Sequence, residues 1–169
     1  MLLFSKKGDR YFAPDAFKTL ALTCISNHDI PTLKAWWNCN DLDERHKLGI
    51  YSLEKTEQEK AARHIDKVAM IRTLQDVGES PKGTNPDDIS SMAYQRDIWE
   101  QMHYYLAKTA SKIVVLQLED VLEIDTMVNI PGTSTEYPNW QRKLTYSISE
   151  ILQSTANQSF FQNMSIIRS

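Results

Sequence analysis

His28 and Asp29 stand side by side in the chain, and both side chains can take part in acid–base chemistry. An imidazole changes its charge near neutral pH, while a carboxylate accepts protons and holds hydroxyl groups. The pair Trp36 and Trp37 follows about two helical turns later, so rings suited to stacking lie near the same point. Aromatic faces beside polar groups are typical of sites that hold a sugar ring, and these residue types favour such a site.

A mostly apolar run from Leu20 to Ile25 precedes this pair and predicts a short buried strand with polar residues at its carboxyl end. Pro31 predicts the first turn of a helix, because no helix could pair an N–H at that position. In parallel α/β folds this edge is where active sites lie. A second interpretation stays open, in which Asp29 only caps the helix and His28 merely packs.

The clearest strand signal spans Lys112 to Leu118, with a continuous apolar centre from Ile113 to Leu116. Polar residues from Gln117 to Asp120 again appear at its carboxyl end. A helix followed by such a strand is typical of the αβ half of a parallel barrel or a doubly wound unit. Both strand ends can then face one cleft.

Length and composition exclude several classes of protein. The chain has 169 residues, enough for one packed domain but fewer than the roughly 250 of a complete eight-stranded α/β barrel. A net charge of -3 and the absence of a basic run argue against a nucleic-acid partner. No apolar run is long enough to span a membrane. Cys24 and Cys39 form neither a metal spacing nor a disulfide framework, which predicts a reduced, cytoplasmic chain.

Helices are predicted through the middle of the chain. They are a short helix beginning at Asp41 to Glu44, a long helix from Thr56 to Gly78 opened by a capping box, and a second long helix capped by Asp87 or Asp88, with Met92, Trp99, Met102, Tyr105 and Leu106 buried. Near the ends, Leu2 to Phe4 predicts a brief strand and Tyr146 to Leu152 a modest helix. The Gln, Ser and Asn content from Gln153 onward predicts a weakly ordered tail.

The stretch from Val128 to Leu144 is a loop by its Pro and Gly content, yet it carries Asn, Tyr, Trp and Arg side chains. Polar and aromatic loops of this kind often bind ligands. An ordered surface loop whose rings only pin it down is an equally open interpretation.

Three motifs together resemble the carboxyl-terminal part of bacterial 4-alpha-glucanotransferases, also called amylomaltases. They are the stretches at 27–33 with the Trp pair, at 117–122, and at 128–133 continuing through Asn139-Trp140 to residues 142–144. Two positions depart from the family pattern, which more often has Thr at Asn27 and a basic residue at Gln141.

The resemblance implies an α/β fold, the carboxyl-terminal portion of a (β/α)8 TIM-type barrel, helix-rich overall. Residues 1–152 would form this part of the barrel, with a helical insertion at about 41–110 and a weakly ordered tail at 153–169. The last three barrel strands would be Leu2 to Phe4, Thr19 to Ile25 and Lys112 to Leu118.

The resemblance also implies an activity, the transfer of alpha-1,4-glucan segments to glucose or maltooligosaccharide acceptors by a retaining double displacement. Asp29 would be the third carboxylate, which holds hydroxyls of the distorted sugar, and His28 would bond to the same ring. Nucleophile and acid/base would precede Leu2. No metal or organic cofactor is implied, and the substrate-binding residues would be Asn129, Pro131, Gly132, Trp36, Asn139 and Trp140.

The expected partners are therefore maltooligosaccharides, together with the missing amino-terminal barrel segment or a second copy of the chain. Inactivity of the chain alone is expected, because two of the three carboxylates would be absent. One alternative is a non-catalytic glucan-binding or interaction module derived from the enzyme. Another is a complete small enzyme of a different class, which would need an acid/base pair drawn from Asp29, Glu119, Asp120 and Glu136.

Overall fold

The computed structural model describes residues 1–89 and 92–169. Helices dominate, and two small sheets accompany them. In chain order the elements are β1 (Lys6–Lys7), β2 (Arg10–Tyr11), β3 (Leu22–Cys24), α1 (Leu33–Asn38), α2 (Asn40–Lys47), α3 (Leu53–Asp76), α4 (Arg96–Ala107), β4 (Ile113–Val115), α5 (Leu118–Val121), α6 (Ile148–Gln153) and α7 (Thr155–Arg168), with short 3-10 helices at Leu2–Phe4, Pro14–Ala16 and Pro86–Ser91.

Two of the three sequence-predicted strands, β3 and β4, pair in parallel, so both of their carboxyl ends lie at the same edge. Leu22 aligns with Ile113, and the pairing continues to Cys24 and Val115. Both strands are shorter than their apolar runs. Thr23 is 2% exposed and faces the helices, whereas Leu22 and Ile113, on the opposite face, are 56% and 55% exposed. Cys24 shares the face of Leu22 but is 8% exposed, so this face is open only in part.

Leu2 to Phe4 is a correction, because this segment forms a 3-10 turn and not a strand. Leu2 is fully buried, and Ser5 N donates to Leu2 O at 2.8 Å. Three apolar residues are too few for their periodicity to separate a strand from a helical turn. Antiparallel pairing begins only afterwards, in the hairpin of β1 and β2.

The N-cap of the long helix α3 lies four residues before the predicted one. Ser52 is its N-cap, and Ser52 Oγ accepts from Lys55 N at 3.1 Å. Thr56, the expected cap, is buried and its hydroxyl donates to Ser52 O at 2.9 Å. At the other end Gly78 has φ +77, and Glu79 N closes the helix on Leu74 O at 2.9 Å. The predicted glycine end is confirmed.

The second long helix, α4, carries the stripe expected from its sequence, since Trp99, Met102, Tyr105 and Leu106 are fully buried. It begins at Arg96, after Met92 and after the Pro86–Ser91 turn that contains Asp87 and Asp88. The predicted Asp cap is wrong because extended backbone at Gln95 separates that turn from the helix.

The carboxyl-terminal segment is ordered, which corrects the expected weak tail. It forms α7, whose Phe160 and Met164 are 1% and 7% exposed against α4. The Phe160 ring lies 4.2 Å from that of Trp99 and 5.6 Å from that of Tyr104. Spacing of Phe160, Met164 and Ile167 by four and three residues gives one helical face, a signal that the polar composition obscured.

Candidate functional site

The segment between β3 and α1 presents His28 and Asp29 side by side at the surface. Asp29 Oδ2 lies 3.3 Å from His28 Nε2, and the two side chains are 51% and 52% exposed. Asp29 Oδ1 accepts from Asn129 Nδ2 at 2.9 Å, although 100 residues separate the two in sequence. The carboxylate is therefore held by a fixed donor and remains open to a ligand.

The loop after α5 brings Trp140 onto the same imidazole. The rings of His28 and Trp140 have centroids 4.8 Å apart, and Trp140 is 61% exposed. Its φ of 60° is uncommon for a large side chain, and Trp140 N donates to Val128 O at 3.1 Å. Four predicted site residues, His28, Asp29, Asn129 and Trp140, thus meet on one surface.

Three other predicted residues, Asn139, Pro131 and Gly132, belong to the same loop but make no contact with His28 or Asp29 that the structure shows. Asn139 Oδ1 accepts from Ile130 N at 2.9 Å, and its amide nitrogen donates to Thr133 Oγ1 at 2.8 Å. This side chain ties the loop to itself. Pro131 and Gly132 lie at its exposed turn, where Gly132 has φ +91, a conformation that favours glycine.

Trp36 is not part of this surface, contrary to the sequence prediction. It is 5% exposed, and the guanidinium carbon of Arg63 lies 4.9 Å from the centre of its ring. Arg63 also donates to Trp36 O at 2.7 Å and holds Asp41 with two bonds of 3.0 Å. Leu33, Trp36 and Trp37 follow helical spacing, so the same face of α1 that buries Leu33 buries the rings.

Asp29 is not a helix cap. The helix α1 begins at Leu33, and its N-cap is Thr32, whose Oγ1 accepts from Ala35 N at 3.3 Å. Pro31 precedes that cap, so the prediction that it lies in the first turn was wrong. The backbone amide of Leu33, the first residue of α1, is bound by a residue distant in sequence, since Leu33 N donates to Asp120 Oδ1 at 2.6 Å. The capping interpretation therefore does not account for the position of Asp29.

A buried polar cluster behind the site was missed by the sequence analysis as a structural unit. Ser26 Oγ lies 2.8 Å from Asp120 Oδ2 and 2.7 Å from Gln117 Oε1. Asp120 is 2% exposed, and burial raises its pKa to about 6, although hydrogen bonds from Leu33 and Ser26 partly offset this. The polar ends of the two strands gave the only local signal.

Two clefts flank the loop at 125–142. The smaller, of about 500 Å³, is lined by both strand ends and by His28 and Trp140. The larger, of about 890 Å³, lies between the loop and α2 and includes neither His28 nor Asp29 among its lining residues. We assign the candidate site to the smaller cleft, because it combines the exposed Trp140 ring with the His28 imidazole. Asp29 and Asn129 do not line this cleft themselves, but Asp29 lies next to His28 at its edge.

Two of the carboxylates considered for a separate acid/base pair already have partners. Asp120 is buried against Ser26 and Leu33. Glu136 accepts from Ser134 N at 2.7 Å, and this bond lowers its pKa below the usual value.

In residues 1–89 and 92–169, no three His, Cys, Asp or Glu side chains are placed to hold a metal ion. The same residues include no helix that could cross a membrane.

The titrations of Asp120 and His103 change the free energy of unfolding with pH in opposite directions. The raised pKa of Asp120 contributes stability that is complete below pH about 4 and lost as pH rises to about 6. Burial lowers the pKa of His103 to about 4. Its contribution is complete above pH about 6.5 and lost as pH falls towards 4, because the unfolded chain takes up the proton first. The two contributions oppose each other between pH 4 and 6.5.

We expect Asp120→Asn to expose the dependence on His103. Stability of this variant should fall more steeply than that of the wild type as pH drops from 6.5 to 4. The gap between the two curves should change by about 3 kcal/mol, since two pKa units correspond to roughly that free energy. Urea unfolding at several pH values measures it. Parallel curves would show that Asp120 does not titrate differently in the folded chain.

Comparison with known proteins decides which family this fold and surface belong to. A family model described as 4-alpha-glucanotransferase matches residues 1–149. The chain belongs to the 4-alpha-glucanotransferase family. A 4-alpha-glucanotransferase of Haemophilus influenzae is 32% identical over 161 residues, which are 95% of this chain and 23% of that protein. One from Mycobacterium bovis is 26% identical over 131 residues, 78% of this chain and 17% of the relative.

A solved structure shows the same fold. The crystal structure of amylomaltase from Corynebacterium glutamicum matches with a TM-score of 0.80 and 20% identity, covering 99% of this chain and 25% of that one. The resemblance drawn from the three motifs is thus confirmed. The chain spans about a quarter or less of the length of each of these 4-alpha-glucanotransferase relatives.

Proposed function

We propose that the chain supplies the sugar-holding part of a 4-alpha-glucanotransferase active site. Asp29 is the carboxylate that holds ring hydroxyls of the glucan, and His28 contacts the same sugar. The observation that carries this assignment is the exposed Asp29 carboxylate, held by Asn129 at 2.9 Å and not used to cap α1. The relatives named as 4-alpha-glucanotransferases supply the reaction class.

The chemistry follows from the charge and the geometry. Transfer with retention passes through oxocarbenium-like transition states, in which the ring flattens and gains positive charge. A fixed carboxylate binds this state more tightly than the resting sugar, because its charge opposes the developing one. Asn129 restrains one oxygen of Asp29, and both oxygens retain lone pairs for hydroxyl donors. Trp140 offers the adjacent ring for stacking.

In this proposal the nucleophile and the acid/base belong to the part of the relatives that the chain does not span. The strands β3 and β4 are the seventh and eighth of the barrel, which their parallel register supports. Leu2–Phe4, a 3-10 turn, is withdrawn as the sixth. Residues 41–110 form the helical insertion and outer layer.

Trp140 gives a direct test of glucan binding. Trp36, Trp37 and Trp99 are buried, so acrylamide should quench mainly the fluorescence of Trp140, which is 61% exposed. We expect maltoheptaose to protect this fluorescence in a saturable way, because a sugar stacked on the ring excludes the quencher. Trp140→Leu should lose the protected component.

Two controls make the fluorescence test specific. Cellohexaose, with beta linkages, should give no protection at the same concentration. Unchanged quenching at high maltoheptaose concentration would contradict a glucan site on this chain. Protection that Asp29→Asn leaves intact agrees with the proposal, since the carboxylate is assigned to the transition state more than to binding.

The exposed face of the strand pair should make the chain associate with a complementary barrel segment or with itself. The sheet has only two strands, and its exposed face carries the apolar side chains of Leu22, Ile113 and Val115. Light scattering over a range of concentrations should show association of the wild type. Ile113→Thr should weaken it, while Ile65→Thr on α3, where the side chain is 60% exposed, should not. Equal behaviour of the two variants, or a strictly monomeric wild type, would contradict the prediction.

A further inference from the structure

Asp120 connects two segments that lie far apart in the sequence, its own helix α5 and the segment at 26–33. Its Oδ1 accepts the amide of Leu33 at 2.6 Å, and its Oδ2 lies 2.8 Å from the hydroxyl of Ser26. Ser26 comes two residues before His28, and Leu33 comes four residues after Asp29. The carboxylate therefore holds both ends of the segment that carries the candidate site residues.

A second contact between the same two segments acts in parallel. Thr32 Oγ1 donates to Ile124 O at 2.6 Å, and Ile124 lies three residues after the end of α5, the helix that contains Asp120. Between the anchors the segment is closed by its own bonds, since Asp29 N donates to Asn27 Oδ1 at 2.9 Å. The chain after Ile124 leads directly to Asn129, the donor to Asp29. Asp120 thus sets the segment of His28 and Asp29 relative to the loop that completes the site.

The donors around Asp120 can be counted. Ser26 has one hydroxyl hydrogen but two nearby acceptor oxygens, Asp120 Oδ2 and Gln117 Oε1. Protonated Asp120 would donate a hydrogen bond to Ser26 Oγ. The Ser26 hydroxyl would then donate to Gln117 Oε1, and every group would have a hydrogen-bond partner. Ionised Asp120 takes the Ser26 hydrogen, and Gln117 must turn its amide to donate instead. An amide in place of the carboxylate can reproduce the first arrangement.

We propose that Asp120 is a positioning residue, which fixes the segment at 26–33 so that His28 and Asp29 meet Trp140 and Asn129. The inference depends on the proposed function only where it calls those four residues functional. Asp120 does not touch the sugar, because it is 2% exposed and its oxygens are engaged by Ser26 and Leu33. The charged group that acts on the pKa of Asp120 is Glu119 of the same helix, which raises it. Asp120 in turn helps to raise the pKa of the buried Tyr94 phenol.

Two NMR signals of the whole 169-residue chain report this positioning. The first is the hydrogen-exchange rate of the Leu33 amide, and the second is the nuclear Overhauser contact between the His28 and Trp140 rings. In Asp120→Ala we expect Leu33 to exchange at least about tenfold faster and the ring contact to be lost. In Asp120→Asn both signals should stay within about twofold of the wild type, because the amide keeps the acceptor and offers a donor to Ser26.

Asp41→Ala is the matched control. Asp41 is 3% exposed and pairs with Arg63, so its removal also leaves a buried group without its partner, but at α2. It should lower the melting temperature and leave the ring contact unchanged. If Asp120→Ala does not fold, Ser26→Ala removes the Ser26 bond of Asp120 with less loss of volume and keeps the bond from Leu33; it should weaken the ring contact.

Three outcomes would overturn the proposal. They are an intact ring contact in folded Asp120→Ala or Ser26→Ala, its loss in folded Asp120→Asn, and its equal loss in Asp41→Ala. Neither signal involves glucan. A failure of the proposed function in kinetic experiments would therefore leave this result standing, and the reverse also holds.

Discussion

The isolated 169-residue chain will release no measurable glucose from maltotriose. Retaining transfer needs two carboxyl groups about 5 Å apart on opposite sides of the scissile bond. Under the proposed function neither of them belongs to this chain, and the loss of a nucleophile alone costs on the order of a millionfold in turnover. Asp29 is assigned to hold hydroxyls, and a single carboxylate cannot act as nucleophile and as acid/base on opposite sides of the same bond.

Glucose assayed over a day, beside a full-length 4-alpha-glucanotransferase at equal concentration, measures this loss. Addition of an amino-terminal segment from a relative is the positive arm, because it would restore the bond-breaking groups. Turnover by the isolated chain comparable to that of the full-length control would contradict the division of the site. It would also require a carboxylate pair among the residues considered above.

Asp29→Asn will abolish transfer in a full-length version, in which the amino-terminal part of a relative precedes this chain. The amide keeps the size of the side chain and an acceptor for Asn129 but loses the negative charge. Interactions that strengthen only in the transition state affect kcat more than substrate binding. We expect kcat to fall by about a hundredfold to a thousandfold or more, the range seen when one electrostatic stabiliser is removed.

Asp125→Asn is the control for this variant. Asp125 is an exposed carboxylate on the same loop as Asn129, but it lines the larger cleft on the other side. The substitution removes one charge from the neighbourhood without touching the candidate site. It should leave kcat within a few-fold of the wild type. An equal loss of kcat in both variants would show that the overall negative charge of this region, and not the Asp29 carboxylate itself, affects turnover.

The strand ends were predictable because their signal is local. An apolar run that stops at polar residues marks both β3 and β4, and parallel pairing then brings the two carboxyl ends together. The family resemblance alone assigned Asn129 to the sugar site, and its hydrogen bond to Asp29 was not predicted. No pattern of spacing links residues that lie 100 positions apart.

Trp36 and Asp120 show where local patterns failed. Trp36 was assigned to substrate because it follows His28 closely, but helical spacing with Leu33 gave the better reading and predicts burial. Asp120 was visible only as a polar residue after a strand. Its partners Ser26 and Leu33 are 94 and 87 residues away, and tertiary packing alone determines which helix it caps.

The ordered helix α7 shows that composition can conceal a face. Its Gln and Ser residues and Asn163 are exposed, whereas Phe160 and Met164, together with the buried Asn157, lie on the side that packs against the rest of the chain. Arg168 then donates to Ser111 O at 2.7 Å and to Lys112 O at 3.0 Å, which fixes the end of the helix beside β4. Periodicity was the better guide than polarity in this segment.

Steady-state kinetics of Asp29→Asn with maltotriose, recorded together with the melting temperature, test the central assignment most directly. The account predicts a loss of at least about a hundredfold in kcat, a change in KM of no more than a few-fold, and a melting temperature close to that of the wild type. Unchanged kcat in a folded Asp29→Asn variant would contradict it, because a carboxylate that holds the transition state cannot be replaced by an amide without loss.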